Sequence, residues 1–295
     1  MCDYVVGADS AWSEHYHVDP AKTCIRQTCR KYIRLSVLAI VLLAVFITIH
    51  HLSNVKLHQP FSSPFTDDDL RSLNLTLSTV LDVLNQLNTT YFMTGGTLLG
   101  SYRHHGRVPW DDHVDLMLNS SDEGPIWISL TKLIPDYGLF VSGYMDNPYP
   151  WKVYPRRHGR WVPFRPFRWP FVDLQFFVSN VTHLCNGSPS NLDQCWPRSS
   201  LFPLRLRPFG RFQIPAPCDT ESALSVEYRN IKVCVSPTYP HIALPWRRQV
   251  AVWCFLLADS HPMVVRYSPS ANHTVIESLM LGNRTLYTII VQNGC

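Results

Sequence analysis

Gly95-Gly96-Thr97-Leu98-Leu99-Gly100-Ser101-Tyr102-Arg103, then Val108-Pro109-Trp110-Asp111-Asp112-His113-Val114-Asp115-Leu116, are the two runs on which the reading of the fold turns. Just upstream, Tyr91-Phe92-Met93-Thr94 reads as a short buried strand, and Gly95-Gly96 turns the chain into a short helix through Tyr102. A strand, a Gly-Gly turn and a helix expose backbone N–H groups at a helix N-terminus, a ready site for phosphate. Val114 to Leu118 is a second strand. Because side chains alternate along a strand, Asp111, His113 and Asp115 are expected on one face, with Asp112 pointing away unless a bulge intervenes. Phe171 to Phe177 alternates as a later strand, and its Asp173 is placed to complete the cluster. Hard oxygen ligands beside a phosphate-cradling turn suit a Mg²⁺-assisted displacement at phosphorus, because the ion neutralises phosphate charge and aligns attack.

Outward from this centre, Thr66-Asp67-Asp68-Asp69 offers a helix N-terminus. Leu70, Leu73, Leu77, Val80, Leu81, Leu84 and Leu87 follow at spacings of three and four, the mark of an amphipathic helix that ends at Asn88-Thr89-Thr90. Residues 125–137 read as a helix, Leu139 to Tyr144 as a strand and Glu221 to Arg229 as a helical patch. Trp246 to Leu257 and Val264 onward offer further strands. Between Asp146 and Asp173 there is no acid, while Lys152, Arg156, Arg157, Arg160, Arg165 and Arg168 alternate with aromatic residues. Arg156 and Arg157 are therefore candidates for a donor phosphate, given the bidentate fit of guanidinium to phosphate; an anionic glycan, an anionic lipid head group or a solvated basic loop are the other readings. His104 and His105 read as surface or pocket-rim residues rather than zinc ligands.

The chain has 295 residues, 46% of them hydrophobic and 16% charged, with a net charge of +4, a composition that excludes a disordered or low-complexity protein. Leu35 to Ile49 carries no charge, and 34 residues precede it. That run is at or just below the ~17–25 residues that cross a bilayer, and the absence of a small-x-small cleavage site after it favours an uncleaved anchor. Arg26, Arg30, Lys31 and Arg34 flank it on the N-terminal side, so positive-inside logic places the tail in the cytosol and the rest in the lumen. The expected organisation is a cytosolic tail over 1–34, a single transmembrane signal anchor over 35–50, a lumenal stem over 51–65 and one domain over 66–295. Seven Asn-x-Ser/Thr triplets, at Asn74, Asn88, Asn119, Asn180, Asn186, Asn272 and Asn283, all follow the apolar run and are candidate glycosylation sites. Six lumenal cysteines suit disulfides; Cys185 with Cys195 is the expected local bridge, and a bridge between Cys218 and Cys234 is a further candidate. The absence of a C-x2-C pair argues against zinc. A lumenal domain also argues against nucleic acid as the partner of the basic stretch.

The run from Gly96 to Leu116 resembles the LicD family, whose pattern joins a G-x-x-x-G turn and an Arg to P-W-D-D-D-x-D; the match is good over residues 91–118 and less specific at Val172 to Phe176. The resemblance implies an α/β (α+β) nucleotidyltransferase-like mixed sheet with flanking helices, here behind a single transmembrane helix. It implies transfer of a phospho-alditol or phosphocholine group from a CDP-linked donor to a glycan hydroxyl, with Mg²⁺ or Mn²⁺, in the Golgi or endoplasmic reticulum membrane. Complexes with other glycosylation enzymes fit that setting. Carried over residue by residue, Gly95, Gly96 and Gly100 shape the phosphate turn, Arg103 pairs with a phosphate or with the carboxylates, and Trp110 walls the pocket. Asp115 is a metal ligand, and Asp173 is a ligand or the general base. His113 departs from the pattern, which asks for a carboxylate there, and imidazole prefers softer ions than Mg²⁺. Three outcomes are open: Asp111 substitutes, a bulge brings Asp112 round, or the site is disabled. In the last case the chain is a catalytically degenerate member acting as a glycan-binding or partner-stabilising subunit.

Overall fold

A computed structural model of the chain describes residues 32–48, 59–141, 150–187, 194–238, 241, 248–267, 274–292 and 294–295. Most of the expected tail and stem, Asn272, the end of the Leu139 to Tyr144 strand and the start of the Trp246 to Leu257 run lie outside the described residues. The chain divides into two units, Met1–Leu57 and His58–Cys295. In the first, a helix covers residues 32–48 (α1) with its apolar side chains exposed. Among the described residues no helix is long and apolar enough to cross a membrane, and residues 49–50 of the expected span are not among them.

The second unit opens with α2 (Asp67–Gln86), whose N-terminus is a capping box: the Asp69 N–H donates to Thr66 Oγ1 at 3.3 Å and the Thr66 N–H to Asp69 Oδ2 at 3.0 Å. Leu73, Leu77, Val80, Leu81 and Leu84 bury the predicted stripe, each leucine worth about 2–5 kcal/mol against alanine. Asn88 leaves the helix at φ +51°, which ends it. Next come β1 (Tyr91–Met93), α3 (Gly95–His104), β2 (Val114–Asn119), α4 (Glu123–Thr131) and β3 (Tyr137–Phe140). The helix predicted over 125–137 stops at Thr131, because Pro135 lacks an N–H and disfavours helical geometry before it. Then follow β4 (Trp151–Pro155), a small hairpin of β5 (Arg160–Trp161) and β6 (Arg168–Trp169), and the long β7 (Val172–Ser179).

These strands form a mixed sheet in the order β1-β2-β7-β4-β3, and β8 (His183–Asn186) and β9 (Cys195–Pro197) continue it beyond β7. Among the described residues only β2 and β7 pair in parallel, and their register sets Asp115 beside Asp173. In β2, Val114, Leu116, Met117 and Leu118 are all fully buried, as a central strand covered on both faces requires. The predicted mixed sheet with flanking helices is thus the architecture observed. Beyond it lie a short helix α5 (Arg198–Leu201), the hairpin β10 (Arg205–Phe209) and β11 (Phe212–Ala216), α6 (Thr220–Glu227), the pair β12 (Val233–Val235) and β13 (Ala251–Trp253), and a meander of β14 (Met263–Tyr267), β15 (Thr274–Leu281) and β16 (Arg284–Gln292).

Cys185 and Cys195 face each other across β8 and β9 and are bridged as expected. The Cys218–Cys234 pairing is corrected: Cys218 bonds Cys295 and Cys234 bonds Cys254. The β12–β13 pairing carries Cys234 to the residue just after β13, while the C-terminus returns to α6, where the Gly294 N–H donates to the Cys218 carbonyl at 3.0 Å. Asn186 is also corrected as a glycan site, being 1% exposed with its amide donating to Gln175 Oε1 and Gln194 Oε1, both at 3.2 Å. His104 and His105 are buried rather than at a rim, under the β14–β16 meander: His104 Nδ1 lies 2.6 Å from the Pro262 carbonyl and His105 Nε2 2.8 Å from Glu277.

Candidate active site

Asp115 and Asp173 stand side by side on neighbouring parallel strands, and Asp115 reaches the N-terminus of α3. The Asp115 backbone N–H donates to Thr97 Oγ1 at 2.7 Å, tying β2 to the first turn of that helix. Gly95 has φ +56°, and a Cβ there would sit 3.3 Å from Asp115 Oδ2. At Gly96 a Cβ would overlap Asp111 Oδ2. Both glycines are therefore needed for carboxylates to press against the helix start. Gly100 is corrected: it lies inside α3, where a Cβ would overlap the Gly106 carbonyl and approach Val108 N to 2.7 Å, so it packs helix against loop rather than shaping a phosphate turn.

Residues 111–113 precede β2 instead of belonging to it, so strand alternation does not govern them. The carboxylates of Asp111 and Asp112 consequently both reach His113 Nδ1, at 3.5 Å and 2.9 Å, while His113 Nε2 lies 3.4 Å from Asp115 Oδ2. Asp112 is not turned away; His241 reaches its Oδ1 through Nδ1 at 2.8 Å and donates its backbone N–H to Oδ2 at 2.6 Å. Ligand atoms of His113, Asp115 and Asp173 lie within 4.8 Å of one another, as do those of Asp112, His113 and His241. That convergence of carboxylate and imidazole atoms fits a divalent cation.

Sequence reading missed Lys152, Gln175, Glu227 and His241. Lys152, opposite Asp173 across β4 and β7, donates to both of its carboxylate oxygens at 2.8 Å and 2.7 Å. Gln175 donates to Asp115 Oδ1 at 3.1 Å and accepts from Asn186, which fixes its amide. Glu227, at the end of α6, accepts from Thr94 Oγ1 at 3.2 Å and from the Gly95 N–H at 3.5 Å. Lys152 stood in the basic stretch, Gln175 in the predicted Phe171 to Phe177 strand and Glu227 in the Glu221 to Arg229 helical patch, but nothing local to any of them, or to His241, names the carboxylate or backbone group that it meets.

Electrostatics divide the group. Burial pushes the Asp111 carboxyl up. Burial would also raise Asp112, yet hydrogen bonds from His113 and His241 hold it far below the usual carboxylate range. For His113 burial alone would favour the neutral ring, but Asp115, Asp112 and Asp111 together hold it well above its ordinary value. Asp115 is held down against burial chiefly by His113, and Asp173 is pushed up by burial despite Lys152. Burial raises Glu227 to about 7.

Beside the carboxylates opens a cavity of about 520 Å³ whose walls include Gly96, Arg103, Trp110, Asp111 and Tyr228. Trp110 walls it as expected. Arg103 borders it, but its guanidinium donates to the carbonyls of Ile231 and Val233, both at 3.3 Å, rather than to the carboxylates. Arg156 and Arg157 are corrected as phosphate ligands of this cavity: both are exposed in the turn after β4, and Arg157 lines a different cavity with Asp68, Asp69 and Asp136.

Residues 88–219 match the family model described as LicD/FKTN/FKRP, nucleotidyltransferase domain. Over 179 residues, 59% of this chain and 34% of the relative, the chain is 27% identical to ribitol 5-phosphate transferase FKRP of Mus musculus. A stretch of 57 residues is 35% identical to lipopolysaccharide cholinephosphotransferase LicD of Haemophilus influenzae, covering 18% of this chain and 22% of that protein. The chain thus spans about a third or less of the length of these curated relatives. Among solved structures, the lincosamide antibiotic adenylyltransferase LnuA is similar over 51% of this chain and 82% of its own, at 14% identity and a TM-score of 0.35.

Proposed function

The chain belongs to the LicD family, and from that premise we propose that it is a phosphotransferase moving a phospho-alditol or phosphocholine group from a CDP-linked donor to a glycan hydroxyl. The observation carrying this reading is the parallel β2–β7 register, which lines Asp173 up with Asp115, the carboxylate packed against the glycine start of α3. Asp111, Asp115 and Asp173 would hold a divalent cation, Mg²⁺ or Mn²⁺, which would supply charge neutralisation at the phosphate oxygens, and His113 would join them as a ligand on losing the proton that these carboxylates hold on it. The first turn of α3 offers N–H groups and the positive end of its dipole to the donor phosphates. Trp110 and Tyr228 give the adjoining cavity aromatic walls for the nucleotide. Asp173 is occupied by Lys152, so Glu227 is the better placed group to take the acceptor proton, with a carboxyl near the operating pH. In this reading α1 is the anchoring part of a single-pass membrane protein of the Golgi or endoplasmic reticulum, with the second unit lumenal.

The test is release of CMP from CDP-ribitol, CDP-glycerol or CDP-choline by the purified full chain with Mg²⁺ or Mn²⁺. Metal-dependent release from one of these donors is the expected result. A second reading rests on the protonated His113 standing where the family pattern has a carboxylate: a silent, glycan-binding or partner-stabilising subunit. Glycan or partner binding with no CMP from any donor selects it. In the active case Gly96→Ala, which drives a methyl into Asp111 Oδ2, lowers CMP release about 10²-fold through misplacement of that carboxylate. The unfolding midpoint should move little, and unchanged turnover would remove Asp111 from the site.

A further inference from the structure

Lys152 is a buried ammonium fixed at the bottom of the carboxylate cluster. Its side chain is 8% exposed and that of Asp173 is 5% exposed. Two of its three N–H donors go to the two oxygens of Asp173, at 2.8 Å and 2.7 Å. The Phe171 and Phe167 rings lie 4.0 Å and 5.1 Å from Nζ, so the cation is boxed by aromatic faces. A buried charge held this way leaves only at high cost, because Asp173 would be stranded. Asp173 in turn stands in register with Asp115, the carboxylate that His113 and Gln175 also touch.

Enzymes that displace groups at phosphorus commonly set two cations ~3.5–4 Å apart, one on each side of the reacting phosphate. Asp115 Oδ2 faces Gly95 and Asp111 Oδ2 faces Gly96, so one cation would sit between these carboxylates beside the glycine turn and the open cavity. At Asp173 the positive charge is already supplied by Lys152. We propose that Lys152 is a built-in cation that replaces a second metal ion at Asp173, so that the protein takes one divalent ion, on the Asp111–Asp115 side. The inference rests on the reading of this cluster as a divalent-cation centre and narrows it: Asp173 becomes the counter-ion of Lys152 rather than a metal ligand. An ammonium contributes charge and hydrogen bonds but no open coordination position, so whatever polarisation the single ion provides is concentrated near Asp115.

Mn²⁺ titration of the purified full chain, followed by the electron paramagnetic resonance signal of the free ion, reads this directly and needs no turnover. The parent is expected to bind one Mn²⁺ per chain, and two would overturn the proposal. Lys152→Met should expose Asp173 and add a second Mn²⁺, whereas Lys152→Arg, which keeps the charge, should stay at one. A second ion absent from a folded Lys152→Met protein sinks the idea. Asp173→Asn supplies an independent arm should the methionine variant not fold: Mn²⁺ affinity is expected to stay within about 3-fold of the parent, and a loss of 10-fold or more would make Asp173 a ligand and end the proposal. If the parent binds no Mn²⁺ at all, the metal-dependent reading falls together with this one; a failure confined to the variants removes only the role of Lys152.

Discussion

Asp115→Asn is expected to lower CMP release by about 10³-fold or more, the scale of losing a preorganised charge at a reacting phosphate. Asp115 is 6% exposed, it is the one carboxylate in β2, flanked there by Val114 and Leu116, and its neighbours Gln175, Thr97 and Gly95 fix where it points. Asparagine has the same shape and can accept from Gln175, so the strand keeps its register while the charge disappears. His113, held protonated mainly by this carboxylate, should then titrate lower. Single-turnover CMP release at saturating donor, together with urea unfolding, separates chemistry from stability. A loss under about 10-fold would show that the phosphate charge is met elsewhere.

Glu277→Gln has the largest expected effect on stability. Glu277 is 1% exposed in the middle strand of the β14–β16 meander, and three groups converge on it. Arg207 donates to both of its oxygens at 2.9 Å, Arg266 Nε donates to Oε1 at 2.9 Å, and His105 Nε2 lies 2.8 Å from Oε2. Removing the single negative charge leaves the buried Arg207 and the half-buried Arg266 without their counter-ion, a loss of about 3 kcal/mol. Burial would raise the carboxyl, but the His105 hydrogen bond and the charges of Arg207 and Arg266 lower it to about 2. The folded value lies below the unfolded one, so this stabilisation is complete above the unfolded value near 4.5 and is lost as pH falls through about 2. From the linkage relation it is worth about 3 kcal/mol. Urea midpoints measured from pH 7 to pH 2 should converge for parent and variant at the acid end. A cost under about 1 kcal/mol at pH 7 would mean that the guanidinium groups find water.

Much of this molecule is legible before folding because its signals are local. The stripe from Leu70 to Leu87, the acidic cap at Asp67 to Asp69 and the Gly-Gly break at 95–96 each act within a few residues, and each emerges as predicted. The bridge between Cys185 and Cys195 is legible for the same reason, with few ways to close so short a loop. Readings failed where the deciding partner is remote. Arg103 follows the motif that suggested a phosphate, yet carbonyls at Ile231 and Val233 claim it from 128 and 130 residues away. Asn186 satisfies a glycosylation triplet, yet its partners are the side chains of Gln175 and Gln194 inside the sheet. Alternation misjudged Asp112 because the strand begins one residue after His113.

The sequence by itself determined the residue types of the centre and the elements that carry them, since glycine conformational freedom, strand period and helix capping are properties of neighbouring residues. Which charges meet was decided only by the tertiary structure. The parallel register that joins Asp115 to Asp173, the antiparallel one that delivers Lys152, and the docking of α6 that brings Glu227 to Gly95 all follow from how apolar faces pack. Packing acts on residues far apart in the chain, and no local pattern encodes its outcome.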